Sequence, residues 1–360
     1  MHLPDELICL VLAKAYYKDP PLNTPDYSTL SACSLVSSSW THPAQILLFR
    51  CITQDVAHAF SRFAETNDQA LLANVRTFSI ALLTQSVDLP ILVSVLRRCP
   101  QLYELTISAR GLFSFPDESI AALVSIMNST GLSIRSLRLI ECSVQSPILY
   151  QLMGVFPTIE FLTLGVELAA TPPLWKPICA LYELKCHRTL SPEMLVWLLS
   201  SSASSLRVLE LRDLPSARTA VELAPYCESI QSLRLMRYNA HTAAILRQCT
   251  NLLELVLLNV PTLVSLPSLP PSLEHITLLI QTYTTSVDLT PVIVAVNSLP
   301  NLRTLSFMGD LGQIAVLQSV CDSKNVSLWR TSQKFWTMDD PIKATRFPRR
   351  QSVSNFYLMK

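Results

Sequence analysis

From about residue 74 onward, one short hydrophobic phrase recurs: an apolar residue, two others, an apolar residue, one other, an apolar residue. Ten copies begin at Val75, Leu102, Ile134, Ile159, Leu181, Leu206, Ile230, Leu252, Leu273 and Leu302. The clearest read Leu206-x-x-Leu209-x-Leu211, Ile230-x-x-Leu233-x-Leu235 and Leu252-x-x-Leu255-x-Leu257. Successive starts lie 21 to 32 residues apart. The last two apolar positions alternate with period two, as in a strand with one buried face. Between copies the pattern turns helical, over 89–98, 118–128, 192–200, 219–226 and 240–248. A strand and a helix repeated at this interval predict an α/β repeat solenoid, with parallel strands and outer helices. A helical solenoid fits less well, because the recurring core alternates like a strand. A doubly wound α/β domain would need longer strands and glycine-rich turns, and the chain has six glycines.

Two details refine the repeats. Cys99, Cys227 and Cys249 each stand three residues before the first apolar position of a copy. A small apolar group there closes the preceding helix against the stack. The stretch 264–272 contains Pro267, Pro270 and Pro271, which exclude an ordinary helix.

The first fifty residues follow a different pattern. Pro4 suits the first turn of a helix, and Asp5 and Glu6 place negative charge at its positive end. Leu7 and Val11, then Ile8, Leu12 and Ala15, form two rows four apart, and Leu10 widens them. The resulting helix is apolar on most sides, so it is covered on most sides. Second and third helices are predicted over 28–37 and 41–52, the latter with Thr41 as cap and Pro43 in its first turn. Three short helices bury only about 60% of their unfolded surface. The remainder implies a partner, or a role as a cap on the next domain. A helical connector is expected over 53–73.

These residues also resemble a known module. The opening Leu3-Pro4-Asp5-Glu6-Leu7, the centre Cys33-Ser34-Leu35-Val36-Ser37 with Trp40, and the close Leu47-Leu48-Phe49 are similar to the F-box pattern of mushroom-forming fungi. The resemblance covers residues 3–52, and the loop 18–26 is longer than a minimal F-box needs. It implies docking of a Skp-type adaptor of a cullin–RING ubiquitin ligase through Leu3, Pro4, Leu7, Ile8, Leu12, Leu35, Val36, Trp40, Leu48 and Phe49. The repeats over 74–323 likewise resemble irregular leucine-rich repeats. Cys142 fits that family's ladder position, but most copies lack it.

Ten strands spaced about 4.8 Å apart span on the order of 45 Å, which suits a protein or peptide better than a metabolite. The residues between the last two apolar positions should face a ligand: Ser79, Thr106, Arg138, Thr163, Lys185, Glu210, Arg234, Val256, Thr277 and Ser306. Those just after the phrase form a second column: Ala81, Ser108, Ile140, Gly165, His187, Arg212, Met236, Leu258, Leu279 and Met308. Arg138, Lys185, Arg212 and Arg234 make a basic centre suited to an acidic or phosphorylated substrate segment. Met236, Leu258, Leu279 and Met308 make an apolar stripe suited to an anchor. Against the first reading, Glu183 and Glu210 stand close enough to neutralise the cations. Against the second, a folded-back C-terminal tail would cover the stripe.

Composition narrows the classes. Net charge is +1, with 15% charged and 49% hydrophobic residues, which argues against wholesale disorder and against electrostatic capture of nucleic acid or membrane. No apolar run approaches the ~18–20 residues of a membrane span, and no secretory leader pattern opens the chain. Ten cysteines, none three apart, exclude the usual zinc spacings and favour reduced thiols in a cytoplasmic or nuclear setting. Nucleophile-elbow, dinucleotide and phosphate-loop motifs are absent, and the six histidines make no metal-spaced pair. His187 and His275 fall on the ligand-facing columns as lone polar residues. Neither an enzyme nor a cofactor is expected.

Residues 324–360 carry eight Lys and Arg against Asp339 and Asp340, a net +6, interleaved with Trp329, Phe335, Trp336, Phe347, Phe356 and Tyr357. Such a stretch suits nucleic acid, but it suits better a cap on the solenoid's apolar end. Arg349-Arg350-Gln351-Ser352 resembles a basophilic kinase site. The expected whole is a substrate receptor of a ubiquitin ligase. The alternative is a scaffold whose first helices only cap the solenoid.

Overall fold

The computed structural model describes residues 3–16, 25–66, 69–236, 239–258, 269–279, 289–308 and 311–330. The chain divides into two compact units, with the boundary after Thr158.

The first unit opens with three helices: α1 (Asp5–Ala15), α2 (Tyr27–Ser34) and α3 (Ser38–Leu48). Pro4 stands at the N-cap of α1, just before its first turn; Asp5 and Glu6 in that turn and Lys14 in the last match the helix dipole at both ends. The carboxylate of Asp26 accepts from the Thr29 amide at 3.1 Å, so α2 begins at Tyr27. Thr41 is not the cap of α3. It lies inside the helix, and its hydroxyl donates to the Ser34 carbonyl at 2.8 Å. Pro43 therefore falls in the second turn. Ile52, expected at the end of this helix, instead forms a two-residue strand, β1 (Cys51–Ile52).

A connector follows, with a short 3-10 turn (Gln54–Val56), α4 (Ala57–Thr66) and α5 (Gln69–Leu72). Strand and helix then alternate: β2 (Thr77–Ala81), α6 (Gln85–Arg98), β3 (Glu104–Ser108), α7 (Asp117–Thr130), β4 (Ser136–Glu141) and α8 (Ile148–Val155). Strands β1 to β4 pair in chain order, all parallel. Helix α6 starts four residues before its sequence prediction. The buried Asp88 carboxylate accepts from the amides of Leu83 and Thr84 at 2.8 and 2.7 Å, fixing the strand-to-helix turn.

The second unit continues the alternation with β5 (Phe161–Leu164), β6 (Glu183–Cys186), α9 (Pro192–Leu199), β7 (Val208–Leu211), α10 (Ala217–Cys227), β8 (Ser232–Leu235), α11 (Ala240–Gln248), β9 (Glu254–Leu258), β10 (His275–Leu279), α12 (Thr290–Ser298), β11 (Thr304–Met308), α13 (Leu311–Ser323) and β12 (Ser327–Arg330). Strands β5 to β12 also pair in chain order and in parallel. Seven steps of about 4.8 Å give this sheet a span of about 34 Å. Each unit thus holds a solenoid-like α/β arrangement.

The apolar phrase supplies the core. Leu105, Leu137, Leu162, Leu184, Leu209, Leu233, Leu255 and Leu305 are completely inaccessible. Cys99, Cys227 and Cys249 are also buried, each at a helix C-terminus against the next strand. The described residues contain twelve strands where ten were expected. β1 and β12 are the additions, and neither carries the full phrase. The stretch 165–182 carries no helix. It is held to α9 by Trp197, whose indole N–H donates to the Trp175 carbonyl at 2.6 Å while the two rings meet edge to face at 5.1 Å. Of the proline-rich stretch 264–272, residues 269–272 are described and non-helical; the rest lies outside the described residues.

Candidate functional site

The first candidate surface lies on α1. Its residues divide into an inward and an outward set at helical spacing. Ile8 and Leu12 are fully buried and form a small core with Tyr16, Leu30 and Ala44, against which Cys33, Trp40, Leu47 and Leu48 pack. Leu3, Leu7, Leu10 and Val11 face out, with exposures of 39%, 49%, 58% and 45%. At the junction of α2 and α3, Leu35 and Val36 are also exposed, at 84% and 64%. This unit leaves much apolar surface in water.

The ten residues expected to meet an adaptor therefore separate. Leu3, Pro4, Leu7, Leu35 and Val36 lie on the surface. Ile8 and Leu12 do not: they are the module's own core, as the second i, i+4 row on a two-faced helix must be. Trp40 and Leu48 pack on that core. Phe49 stacks on Phe63 of α4, ring centroids 5.2 Å apart, and so ties the module to the connector. Leu10 and Val11, which are not among those ten, also belong to the exposed face: Val11 shares the i, i+4 row of Leu7, and Leu10 stands three residues from it.

The second candidate is the sheet face that carries the middle column. Register confirms the column within each unit. Ser79, Thr106 and Arg138 are partners in the first. Thr163, Lys185, Glu210, Arg234, Val256, Thr277 and Ser306 are partners in the second. The following column departs at β4, where a bulge after Ile107 pairs Ser108 with Glu141, so Glu141 takes the place expected for Ile140. Glu141 accepts from the Ser108 hydroxyl at 2.6 Å and binds Arg110 through both of its oxygens. Arg110 and Ser108 together hold the carboxyl down at about 2.

The basic centre has a different character from the one expected. Lys185 and Arg234 are only 3% and 1% exposed, and the cations are paired with acids on the same face. Lys185 lies 3.4 Å from Glu183. Arg212 lies 2.7 Å from Glu210, and Arg234 is 3.6 Å from Glu210 and 4.0 Å from Glu254. Arg138 lies 3.8 Å from Glu104, which also accepts from Ser136 at 3.0 Å. Burial pushes the Glu210 carboxyl up, but the charges of Lys185, Arg212 and Arg234 outweigh it and hold the group at about 2. Within each unit these cations are matched by acids on the same sheet face, so their charge is already answered before an acidic ligand arrives.

On the apolar stripe, Met236 is half-buried directly after β8. Leu258, Leu279 and Met308 stand in register at the ends of β9, β10 and β11, and their side chains lie outside the described residues. His187 follows β6, with its amide donating to the Leu164 carbonyl at 2.8 Å. The ring of His275 lies 2.6 Å from the Thr304 hydroxyl. Of the predicted tail, β12 extends the sheet by one strand, and residues 331–360, including Arg349 to Ser352, lie outside the described residues.

Among the described residues, no group of three or more His, Cys, Asp or Glu is arranged to hold a metal. No described helix is long and apolar enough to cross a membrane. No protein-family model matches the chain, and no curated protein matches its sequence.

Proposed function

We propose that this protein is a substrate receptor of a cullin–RING ubiquitin ligase, docking a Skp-type adaptor through its N-terminal helices and a protein substrate through its repeats. One observation carries the reading: α1 has an exposed apolar face (Leu7, Leu10, Val11), extended by Leu3 just before the helix, back to back with the buried Ile8–Leu12 row. A helix in a small module gains nothing from such a face unless a partner covers it. The resemblance of residues 3–52 to the F-box pattern supplies the identity of that partner. In this role the protein performs no covalent chemistry; it raises the effective concentration of a substrate beside the ligase.

The buried ion pairs redirect the search for the substrate surface. With the cations neutralised, recognition of an acidic segment has less support than recognition through shape and apolar contact.

A second reading is a scaffold whose first helices only cap the repeats. It is favoured by one contact: the Tyr27 hydroxyl of α2 donates to the Cys51 carbonyl of β1 at 2.5 Å, joining the helical module to the first strand. Co-expression with a Skp-type adaptor separates the two. A complex that co-purifies and is lost on Leu7→Asp supports the receptor; no complex at micromolar concentration supports the scaffold.

A further inference from the structure

Cys227 and Cys249 occupy the same place in consecutive repeats. Cys227 ends α10, three residues before the buried Ile230; Cys249 caps α11, three residues before the buried Leu252. The pairing of Ser232 with Glu254 sets the two cysteines level, each five residues earlier in its own repeat. Both are free thiols, 1% and 0% exposed. The turns that follow them are bonded to each other: the Asn251 side-chain amide donates to the Glu228 carbonyl at 3.0 Å. From these turns each chain enters its strand, and the two strands run about 4.8 Å apart, so the repeats converge at the cysteines toward the Cα separation of roughly 4.4–6.8 Å that a disulfide requires. Cys99 holds the equivalent place in an earlier repeat, but the neighbouring repeats put Leu72 and Gly131 there, so it has no thiol beside it in that column.

The Cys227 thiol donates to the Leu223 carbonyl at 3.4 Å. The neighbouring thiols bias each other's ionisation, lowering the pKa of Cys227 and raising that of Cys249. Cys227 is therefore the better nucleophile of the two. Access comes from the helix ends. Pro225 lies inside α10, two residues before Cys227, and its missing N–H leaves the Val221 carbonyl without its helical donor. The amide of Cys249 closes α11 with a three-residue bond to Leu246 at 3.2 Å. Helix termini held by few backbone bonds open at low free-energy cost.

We propose that Cys227 and Cys249 are an oxidation site that forms a disulfide between adjacent repeats when the protein meets a peroxide. The Cys227 thiolate attacks the peroxide, the O–O bond breaks, and a sulfenic acid and one water result after proton transfer. The Cys249 thiol then attacks the sulfenic sulfur, the S–O bond breaks, and a second water leaves as the S–S bond forms. Two thiols lose two electrons and two protons, and the peroxide is reduced to two waters. The bond clips the repeat of β8 to that of β9 and stiffens the middle of the second unit's sheet. This site stands apart from the receptor reading and does not depend on it.

The test treats the folded full chain with hydrogen peroxide, blocks remaining thiols, digests without reductant and maps the peptides by mass spectrometry. The expected product is a Cys227–Cys249 linked pair that dithiothreitol reverses, with a thermal midpoint several degrees above that of the reduced protein. The linked pair should persist in Cys99→Ser and vanish in Cys249→Ser, where Cys227 should proceed to sulfinic acid. Recovery of both cysteines as free thiols, or as separate sulfinic and sulfonic acids in the wild-type chain, would overturn the proposal. Linkage of either one to a different cysteine would do the same.

Discussion

Leu7 and Ile8 are consecutive residues of α1 that face opposite ways: Ile8 is completely buried in the module's core, whereas Leu7 is 49% exposed. The pair separates folding from binding. Ile8→Asp buries an unpaired charge in a core of few residues and should remove the module's cooperative unfolding. Leu7→Asp should change stability by no more than about 0.5 kcal/mol. Far-UV circular dichroism melts of the two variants check this; equal loss of structure would mean that α1 has no free face.

Glu210 is the hub of the buried charges, lying within reach of both Arg212 and Arg234. Replacing it with Gln leaves cations buried without their counter-charge and should cost about 3–5 kcal/mol. Glu193→Gln removes an exposed pair with Arg218 and should leave the stability nearly unchanged. Urea titrations of the two variants compare them directly. Similar midpoints would show that water screens Glu210 as well as it screens Glu193.

The same carboxyl predicts a pH dependence. Its pKa in the fold is about 2 against an ordinary 4.5, so the shift is downward. A depressed carboxyl stabilises the fold fully above 4.5, and that contribution is lost as pH falls from 4.5 toward 2. Glu141, lowered chiefly by its hydrogen bond from Arg110, acts in the same direction but is screened by solvent. Thermal midpoints should fall over this acid range, and Glu210→Gln should fall less steeply. Parallel curves would contradict the assignment.

Two glycines should respond differently to alanine. Gly111 approaches the Leu83 backbone so closely that an added Cβ would overlap its carbonyl oxygen. Gly131 ends α7 in the left-handed region at φ 67° with open space around it. Gly131→Ala should cost about 1 kcal/mol. Gly111→Ala should cost more, because the turn after β3 must move away from the turn between β2 and α6. Denaturation midpoints of the two variants give the order.

The repeats were legible because period-two alternation and a near-constant interval are both written in the chain. The phrase at Leu209 and Leu211, or at Leu233 and Leu235, identified the strand, its buried side and its neighbour in the sheet. The bulge that admits Glu141 was hidden, since Leu139 and Ile140 read as an uninterrupted apolar pair. β1 was hidden because two residues carry too little pattern, and β12 because only Leu328 keeps an apolar phrase position, Asn325 and Arg330 standing at the other two. The fate of Arg234 was hidden for another reason. Alternation shows which way a side chain points, not whether that face is open to water or which acid from the next strand stands beside it. On α1, the sequence marked a helix apolar all round without showing which row it keeps for itself.

The central claim is that the outward face of α1 docks a Skp-type adaptor, and the most direct measurement is an affinity. Purified adaptor titrated into the full chain by calorimetry should bind one to one. Val11→Asp, on the exposed row, should weaken that binding by at least about 100-fold, or about 2.7 kcal/mol, while leaving the melting curve in place. Binding that is undetectable for the wild-type chain, or equally tight for Val11→Asp, would contradict the account.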